Sequence, residues 1–212
     1  MNSVTVTSAE LIAAVKRVIP HTAAANQYLP VLECIRFEVR GGYLTLSATD
    51  RFTLIETRIG LSVEVGEDDS FVFLANAKRL KDLLPAFKAG RLVTVTDGGE
   101  FNSIHVPGND GDFPAVNKLW PDRFMEVSPH RFGLGVEHVK KLAALPQGRD
   151  EKRIPLVFGQ GPDAGERKPL VVVFSDHTRV LVMPRGGEDA YAGAAGVFES
   201  MNAPTVAAPV GA

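Results

Sequence analysis

The chain has 212 residues, of which 45% are hydrophobic and 23% charged, enough for one large or two small globular domains. Its 25 acidic and 23 basic residues give a net charge of −2, which excludes a polycation, so nucleic-acid binding would require local segregation of charge. No apolar run approaches the roughly 20 residues of a membrane-spanning helix, no signal segment is recognisable, and the lone Cys34 excludes an intrachain disulfide. We therefore expect a cytoplasmic protein.

The first predicted unit runs from residue 4 to residue 59 and combines one helix with four strands. The helix is predicted over Ser8–Val18, with Ser8 as its N-cap and Pro20 as its stop. Gly41 and Gly42 separate two alternating runs and predict a tight hairpin turn. The strands are predicted at residues 4–7, 31–40, 43–49 and 53–59.

A second unit repeats this order over residues 71–106. Asn76 is the predicted N-cap of a helix that extends to residue 88 and turns Leu80, Leu83 and Leu84 toward a core. The strands of this unit are predicted at residues 71–74, 92–96 and 103–106.

A third unit lies between residues 124 and 183. It begins with a strand at either 124–127 or 132–135, and its further strands are predicted at residues 154–160, 169–175 and 180–183. The helix between them is predicted at residues 136–145. It is expected to direct four apolar side chains inward: Val136, Val139, Leu142 and Leu145.

Repetition of a β-α-β-β-β unit predicts an α+β protein with its helices on one face of antiparallel sheets. We predict a domain of two units at residues 1–122 and a half-domain of one unit at residues 123–185. The boundary follows a connector anchored by Phe113, Leu119 and Trp120. Residues 186–212 are mostly small and aperiodic, which predicts a flexible tail whose only apolar cluster is at 197–201.

No motif for catalysis, a cofactor or a metal is present. The five histidines lack metal-ligand spacing, and neither a Gly-x-Ser-x-Gly elbow nor a phosphate-binding loop occurs. Asp50 stands alone and is expected to serve a loop or cap role. A hydrolase or transferase using Asp50, Asp176 and His177 remains an alternative, and it requires those side chains to converge.

Basic residues gather on the predicted helices, whereas acidic residues gather in loops. An ordinary solvated helix face would explain this pattern. Helices side by side on a sheet would instead align the charges into a stripe that holds DNA phosphates without reading bases. The candidate DNA-binding residues are Lys16, Arg17, Lys78, Arg79, Lys81, Lys88, Lys140 and Lys141.

Several short motifs, in this order, resemble the bacterial DNA polymerase III β subunit, the sliding clamp. They are LPVLECIRFE at residues 29–38, GYLTLSATD at 42–50, GDFP at 111–114, LWP at 119–121 and VLVMPR at 180–185. The likeness covers roughly residues 3–185. It implies the DNA-clamp fold, with helices lining a channel around duplex DNA, and a non-enzymatic processivity or tethering role in replication or repair.

The resemblance also implies a surface pocket that binds short linear motifs of a DNA polymerase or other replication proteins. The residues that match its two walls are Thr49, Asp50, Arg51, Phe52, Leu54, Val182, Met183 and Pro184. For Met183 simple strand packing is the alternative, and for Leu54 a place in the core.

The chain departs from the family in having three units, where clamp subunits have three domains of two units each. Closing a ring of twelve units would require four chains, or the third units of two chains would pair, so we expect a homo-oligomer. The main alternative is a non-encircling adaptor that uses the clamp fold to bind or sequester replication proteins.

Overall fold

The structure is a computed structural model that describes residues 2–25, 29–120, 125–126, 134–145, 157–160, 169–175 and 177–183. The predicted tail at residues 186–212, together with Pro184 and Asp176, lies outside these ranges. No helix within them is long and apolar enough to span a membrane.

The first unit begins with β1 (Ser3–Thr7), which leads directly into α1 (Ser8–Val18), a helix with the predicted bounds. The N-cap is Thr7 rather than Ser8, because the hydroxyl oxygen of Thr7 accepts a hydrogen bond from the backbone N–H of Glu10 at 3.3 Å. Ser8 instead donates its hydroxyl to the carbonyl oxygen of Lys88 at 2.9 Å. This bond ties the start of α1 to the second unit.

The long strand β2 (Cys34–Thr49) passes through Gly41 and Gly42 without reversing, so the predicted hairpin at these glycines is wrong. Its first half pairs antiparallel with β4 (Phe71–Asn76), and its second half with β3 (Thr53–Val65). The pairing register shifts just after Gly41, whose φ of +56° glycine adopts without strain. The glycines therefore mark where β2 changes partner, and the hairpin turns at residues 50–52.

The second unit follows its prediction closely at the helix start. Asn76 caps α2 (Ala77–Leu83), its side-chain oxygen accepting from the backbone N–H of Arg79 at 3.1 Å, as predicted. A 3-10 turn over Leu84–Ala86 then replaces the last predicted helical residues, since Pro85 has no N–H to continue the helix. The strands that follow are β5 (Leu92–Thr96), β6 (Glu100–Phe101) and β7 (Ile104–His105).

The third unit contains β8 (Met125–Glu126), α3 (Val136–Ala143), β9 (Val157–Gln160), β10 (Leu170–Ser175) and β11 (Thr178–Val182). The inward face predicted for its helix is half wrong. Leu142 and Leu145 are buried, but Val136 and Val139 are 69% and 50% exposed. His138 takes the remaining buried position, because it lies one helical turn before Leu142 on the same face.

Among the described residues every strand pair is antiparallel, and the strands form two sheets. The smaller has the order β1-β5-β6-β7, and the larger has the order β4-β2-β3-β11-β10-β9-β8. In the larger sheet, β11 pairs with β3 from Thr53↔Val182 to Thr57↔Thr178. The third unit thus extends the sheet of the first, and this sheet continues past the predicted domain boundary at residue 122.

One apolar core joins both sheets and all three helices. It includes Leu11 and Val15 of α1, Phe37 of β2, Phe101 of β6 and Val180 of β11, all fully or almost fully buried. Phe37 stacks on Phe73 and meets Phe101 edge to face. A smaller cluster on the opposite face of the large sheet contains Leu54, Val116 and Leu181, with Phe113 and Trp120 packed against it.

These findings confirm the α+β fold class, with helices packed on antiparallel sheets.

Candidate functional site

The loop at residues 50–52 joins β2 to β3, and the side chain of Asp50 fixes its shape. One carboxylate oxygen, Oδ1, accepts from the backbone N–H of Phe52 (3.1 Å) and from the backbone N–H (2.7 Å) and hydroxyl (2.8 Å) of Thr53. These bonds hold Arg51 at a φ of +80°, a left-handed conformation that costs a residue with a side chain about 1 kcal/mol or more. The loop role expected for Asp50 is confirmed.

The second oxygen of Asp50, Oδ2, accepts a hydrogen bond from the Lys141 ammonium group of α3. Both side chains are largely buried, with 20% of Lys141 and 16% of Asp50 exposed. Burial alone would raise the pKa of the Asp50 carboxyl. The hydrogen bonds from Lys141 and Thr53 outweigh burial and hold this pKa below its usual value.

Beneath the loop, the fully buried side chain of His21 lies 3.1 Å from Thr53, measured from Nδ1 to the hydroxyl oxygen. The Thr53 hydroxyl has one proton and donates it to Asp50, so Nδ1 of His21 must carry the proton of this contact. Burial, followed by the nearby Lys141 charge, lowers the pKa of His21 to about 3. His21 is therefore neutral at physiological pH.

Three residues of the predicted peptide pocket present their side chains at the surface here. Arg51 is exposed, Phe52 is 61% exposed and Met183 is 38% exposed. The backbone N–H of Met183 donates to the carbonyl oxygen of Phe52 at 2.9 Å, which holds the two residues side by side. An exposed phenylalanine beside an exposed methionine is a small apolar surface on a rigid hairpin.

Three other predicted pocket residues, Thr49, Leu54 and Val182, are buried. Thr49 is 6% exposed and donates its hydroxyl to the carbonyl oxygen of Thr53 at 2.8 Å. Val182 lies in the main core, and Leu54 lies in the second cluster, opposite Leu181 in the β3–β11 register. The core placement considered for Leu54 is the one observed. Pro184 is outside the described residues, and the peptide-binding role of the whole set stays a prediction.

The basic residues predicted to bind DNA divide into two groups. Lys16, Lys78, Arg79, Lys81 and Lys88 are exposed on or beside α1 and α2, and they form no ion pair within the ranges described. Lys16 and Lys81 line the same groove between these helices, so the two helices present one basic surface. Arg17, on the same helix as Lys16, is half-buried.

On α3 the basic residues are engaged. Lys140 pairs with Glu137 at 2.9 Å on the exposed surface, and this contact lowers the pKa of the Glu137 carboxyl. The predicted inward face of this helix did not include Lys141, yet its side chain points inward to Asp50. The amphipathic pattern placed it beside Lys140, but a partner 91 residues away determines its direction.

The hydrolase alternative does not fit the structure. Asp50 precedes the Thr53↔Val182 pair, whereas His177 precedes the Thr57↔Thr178 pair at the other end of the β3–β11 ladder. Four residues of strand separate these ends by about 13 Å. In the described part of the chain, no three histidine, cysteine, aspartate or glutamate side chains group in a way that could hold a metal ion.

The sequence interpretation missed His21 and Thr53, which support the loop from below. The available signal was weak: His21 follows a helix stop, and Thr53 reads as an ordinary strand residue. It also missed a charged groove on the outer sheet face, described below, whose residues alternate along three separate strands.

The chain resembles known proteins in both sequence and fold. It is 29% identical to the beta sliding clamp of Streptomyces coelicolor over 164 residues, which cover 72% of this chain and 43% of that protein. The chain therefore spans less than half the length of this curated relative. No family model matches the chain.

Solved structures of sliding clamps share the fold. The Bacillus subtilis DNA polymerase sliding clamp superposes with a TM-score of 0.66 at 12% identity, covering 87% of this chain and 64% of that chain. The Helicobacter pylori beta clamp, solved with a bound DNA ligase peptide, gives a TM-score of 0.68 at 14% identity, covering 87% and 65%. The resemblance to the sliding-clamp family and the clamp fold are confirmed.

Proposed function

We propose that this chain is a sliding-clamp-like DNA replication factor. It has no enzymatic activity and works by associating with duplex DNA and tethering partner proteins, as a processivity factor does. The proposal combines the clamp fold, the sequence match to a beta sliding clamp and the charge distribution on the helices.

The observation that carries the proposal is the basic surface of α1 and α2. Five exposed cations that form no ion pair within the described ranges lie on or beside α1 and α2, and Lys16 and Lys81 line one groove. Cations that are not engaged by protein carboxylates are available to replace the counterions of DNA phosphates. Such contacts are independent of base sequence.

The partner site we propose is the surface formed by Arg51, Phe52 and Met183. The H. pylori clamp carries a DNA ligase peptide, which supports a peptide-binding role for this fold. Exposed apolar side chains on a hairpin that is fixed by Asp50 would be ordered before a partner arrives, which lowers the entropic cost of binding.

A homo-oligomer is part of this proposal. The resemblance implies a ring of repeated units around duplex DNA, and this chain matches about two thirds of the length of the B. subtilis and H. pylori clamps. We propose that copies associate to complete such a ring.

The test is duplex DNA binding, measured by fluorescence anisotropy across a salt series. Changing Lys16, Lys78, Arg79 and Lys81 to Ala together is expected to reduce the salt slope by about 0.9 for each phosphate contact removed. Lys118→Ala, an exposed lysine in the connector, is the matched control. An unchanged slope and affinity in the four-residue variant would refute the DNA-binding part.

The non-encircling adaptor remains a second candidate, favoured by the engaged state of the α3 lysines. Because Lys140 and Lys141 contact protein carboxylates, the third unit adds little to the basic surface. Light scattering across a concentration series separates the two models. A closed oligomer supports the clamp, and a monomer with weak, salt-insensitive DNA association supports the adaptor.

A further inference from the structure

A groove of about 460 Å³ lies on the face of the large sheet that points away from the helices. Residues of β2 alternate there: Phe37 and Val39 enter the core, whereas Arg36, Glu38 and Arg40 line the groove. The connector after β7 closes one side of it with Trp120. Leu54 of the predicted peptide pocket packs beside Phe113 and Trp120 on this face, but no charged residue of the groove belongs to the DNA-binding or peptide-pocket predictions.

The groove carries an excess of positive charge. Its lining includes four arginines (Arg36, Arg40, Arg58 and Arg179) against two glutamates, Glu38 and Glu56. Arg36 pairs with Glu38 at 2.6 Å and Arg40 with Glu67 at 3.7 Å, so the excess lies at Arg58 and Arg179. Glu56 is shared, because one of its oxygens accepts from Arg58 at 2.9 Å and from Arg179 at 3.0 Å. Two guanidinium groups thus stand over a single carboxylate, and they retain donors for another anion.

Aromatic rings hold these guanidinium groups in place. The guanidinium carbon of Arg179 lies 4.0 Å from the centroid of the Trp120 ring, and that of Arg58 lies 5.8 Å from the centroid of Tyr43. Stacked arginines lose little freedom when they bind a planar carboxylate. Since both arginine side chains are more than a third exposed, the anion can reach them from solvent.

The chain supplies a matching segment of its own. Residues 186–212 contain three acidic residues, Glu188, Asp189 and Glu199, and no lysine, arginine or histidine. Arg179 lies four residues before Met183 on β11, a distance of about 13 Å. The five residue steps from Met183 to Glu188 span up to about 17 Å, and Gly186 and Gly187 permit a reversal of direction. The acidic pair is therefore within reach of Arg179.

We propose that this groove binds an acidic peptide segment, and that its occupant is the chain's own segment 186–212, held through Glu188 and Asp189. This proposal does not depend on DNA binding or on the peptide pocket. It assigns a partner to the arginines of the outer face.

Trp120 is the single tryptophan of the chain, so its fluorescence reports on the groove alone. In the full-length protein, the double change Glu188→Gln and Asp189→Asn is expected to increase quenching of Trp120 by acrylamide, because the segment leaves the groove. Added salt should do the same in the unmodified protein. Asp82→Asn, which neutralises an exposed acid on α2, is the matched control and should leave quenching unchanged.

A second measurement adds the segment in trans. A synthetic peptide of residues 184–201 should bind the double variant saturably, with Trp120 fluorescence as the signal. Arg58→Gln should weaken this binding about tenfold, the loss expected for one charge-assisted hydrogen bond. Arg58 is preferred to Arg179 because Arg179 lies over the ring of Trp120 and its loss would change the fluorescence signal itself. Arg40→Gln, at a more exposed position, serves as a second variant if the first folds poorly.

Identical quenching in the double variant and the unmodified protein would overturn the proposal. The proposal would also be overturned if an unrelated acidic peptide bound as tightly as the 184–201 peptide and the double variant behaved like the unmodified protein. The groove would then serve an external partner.

Discussion

Lys141 of α3 donates a hydrogen bond to Asp50, 91 residues earlier in the chain, and so joins the third unit to the loop that presents Phe52. The same carboxylate organises the loop through Thr53, beneath which His21 is buried. One charged pair thereby connects the placement of α3 to the shape of the proposed partner surface. Its removal should affect both stability and partner binding.

Lys141→Met is expected to destabilise the protein by about 2 kcal/mol, because it leaves a largely buried carboxylate without its cation. The measurement is urea denaturation followed by circular dichroism. Lys140→Met is the control, since the exposed Lys140–Glu137 pair should contribute only about 0.3 kcal/mol. Equal losses in the free energy of unfolding for the two substitutions would show that the Asp50–Lys141 contact stabilises the protein no more than the exposed Lys140–Glu137 pair.

His21 predicts a pH dependence of stability. Its folded pKa of about 3 lies below the unfolded value of about 6.5, so the unfolded state binds more protons between these values. The free energy of unfolding should therefore fall as the pH falls through this window, by up to about 1.4 kcal/mol per pH unit. His21→Gln, which keeps a donor for Thr53, should flatten the dependence, whereas His105→Gln at an exposed position should not.

The folded pKa of Asp50 is also lowered, so its stability contribution depends on pH with the same sign as that of His21. The stabilisation is present above the unfolded pKa of about 3.9 and is lost as the pH falls through the lower folded pKa. Asp50→Asn should thus remove an acid-dependent part of stability below about pH 4. Urea denaturation at several pH values below 5 measures the free energy of unfolding. If its decrease at low pH were the same in the variant as in the unmodified protein, the assignment to Asp50 would be contradicted.

Phe52→Ala is expected to weaken binding of a DNA ligase-derived peptide by tenfold or so while leaving stability almost unchanged, because its ring is mostly exposed. Met183→Ala should act in the same direction. Isothermal titration calorimetry gives the affinity. Val63→Ala, at a 74% exposed position on β3, is the matched control, and equal losses in all three variants would place the peptide elsewhere.

Leu54→Ala separates packing from recognition. Leu54 is 3% exposed within the second cluster, so the substitution should cost roughly 2–4 kcal/mol in the free energy of unfolding. Thermal and urea denaturation measure this cost. A variant that keeps its stability but loses peptide binding would show that Leu54 contacts the peptide.

The sequence predicted those features whose signals are local. The stop at Pro20 predicted the end of α1, and Asn76 as a cap predicted the start of α2. Short motifs in order indicated the family resemblance. Features that depend on partners far away in the sequence were not predicted. Gly41 and Gly42 carry the pattern of a turn, yet β4 and β3 pair with the two halves of β2 and keep it extended. Lys141 has the sequence pattern of a surface residue, but its ammonium group contacts Asp50, 91 residues earlier in the chain.

The pairing of β3 with β11 has a consequence for biosynthesis. β3 ends at residue 65, but its second neighbour in the sheet is complete only at residue 182. At roughly 5–20 residues per second, a ribosome takes on the order of 10 s to supply the missing strand. During that interval the nascent chain exposes an unpaired strand edge, which is a template for aggregation. Newly made copies should therefore depend on chaperones more than the finished protein does.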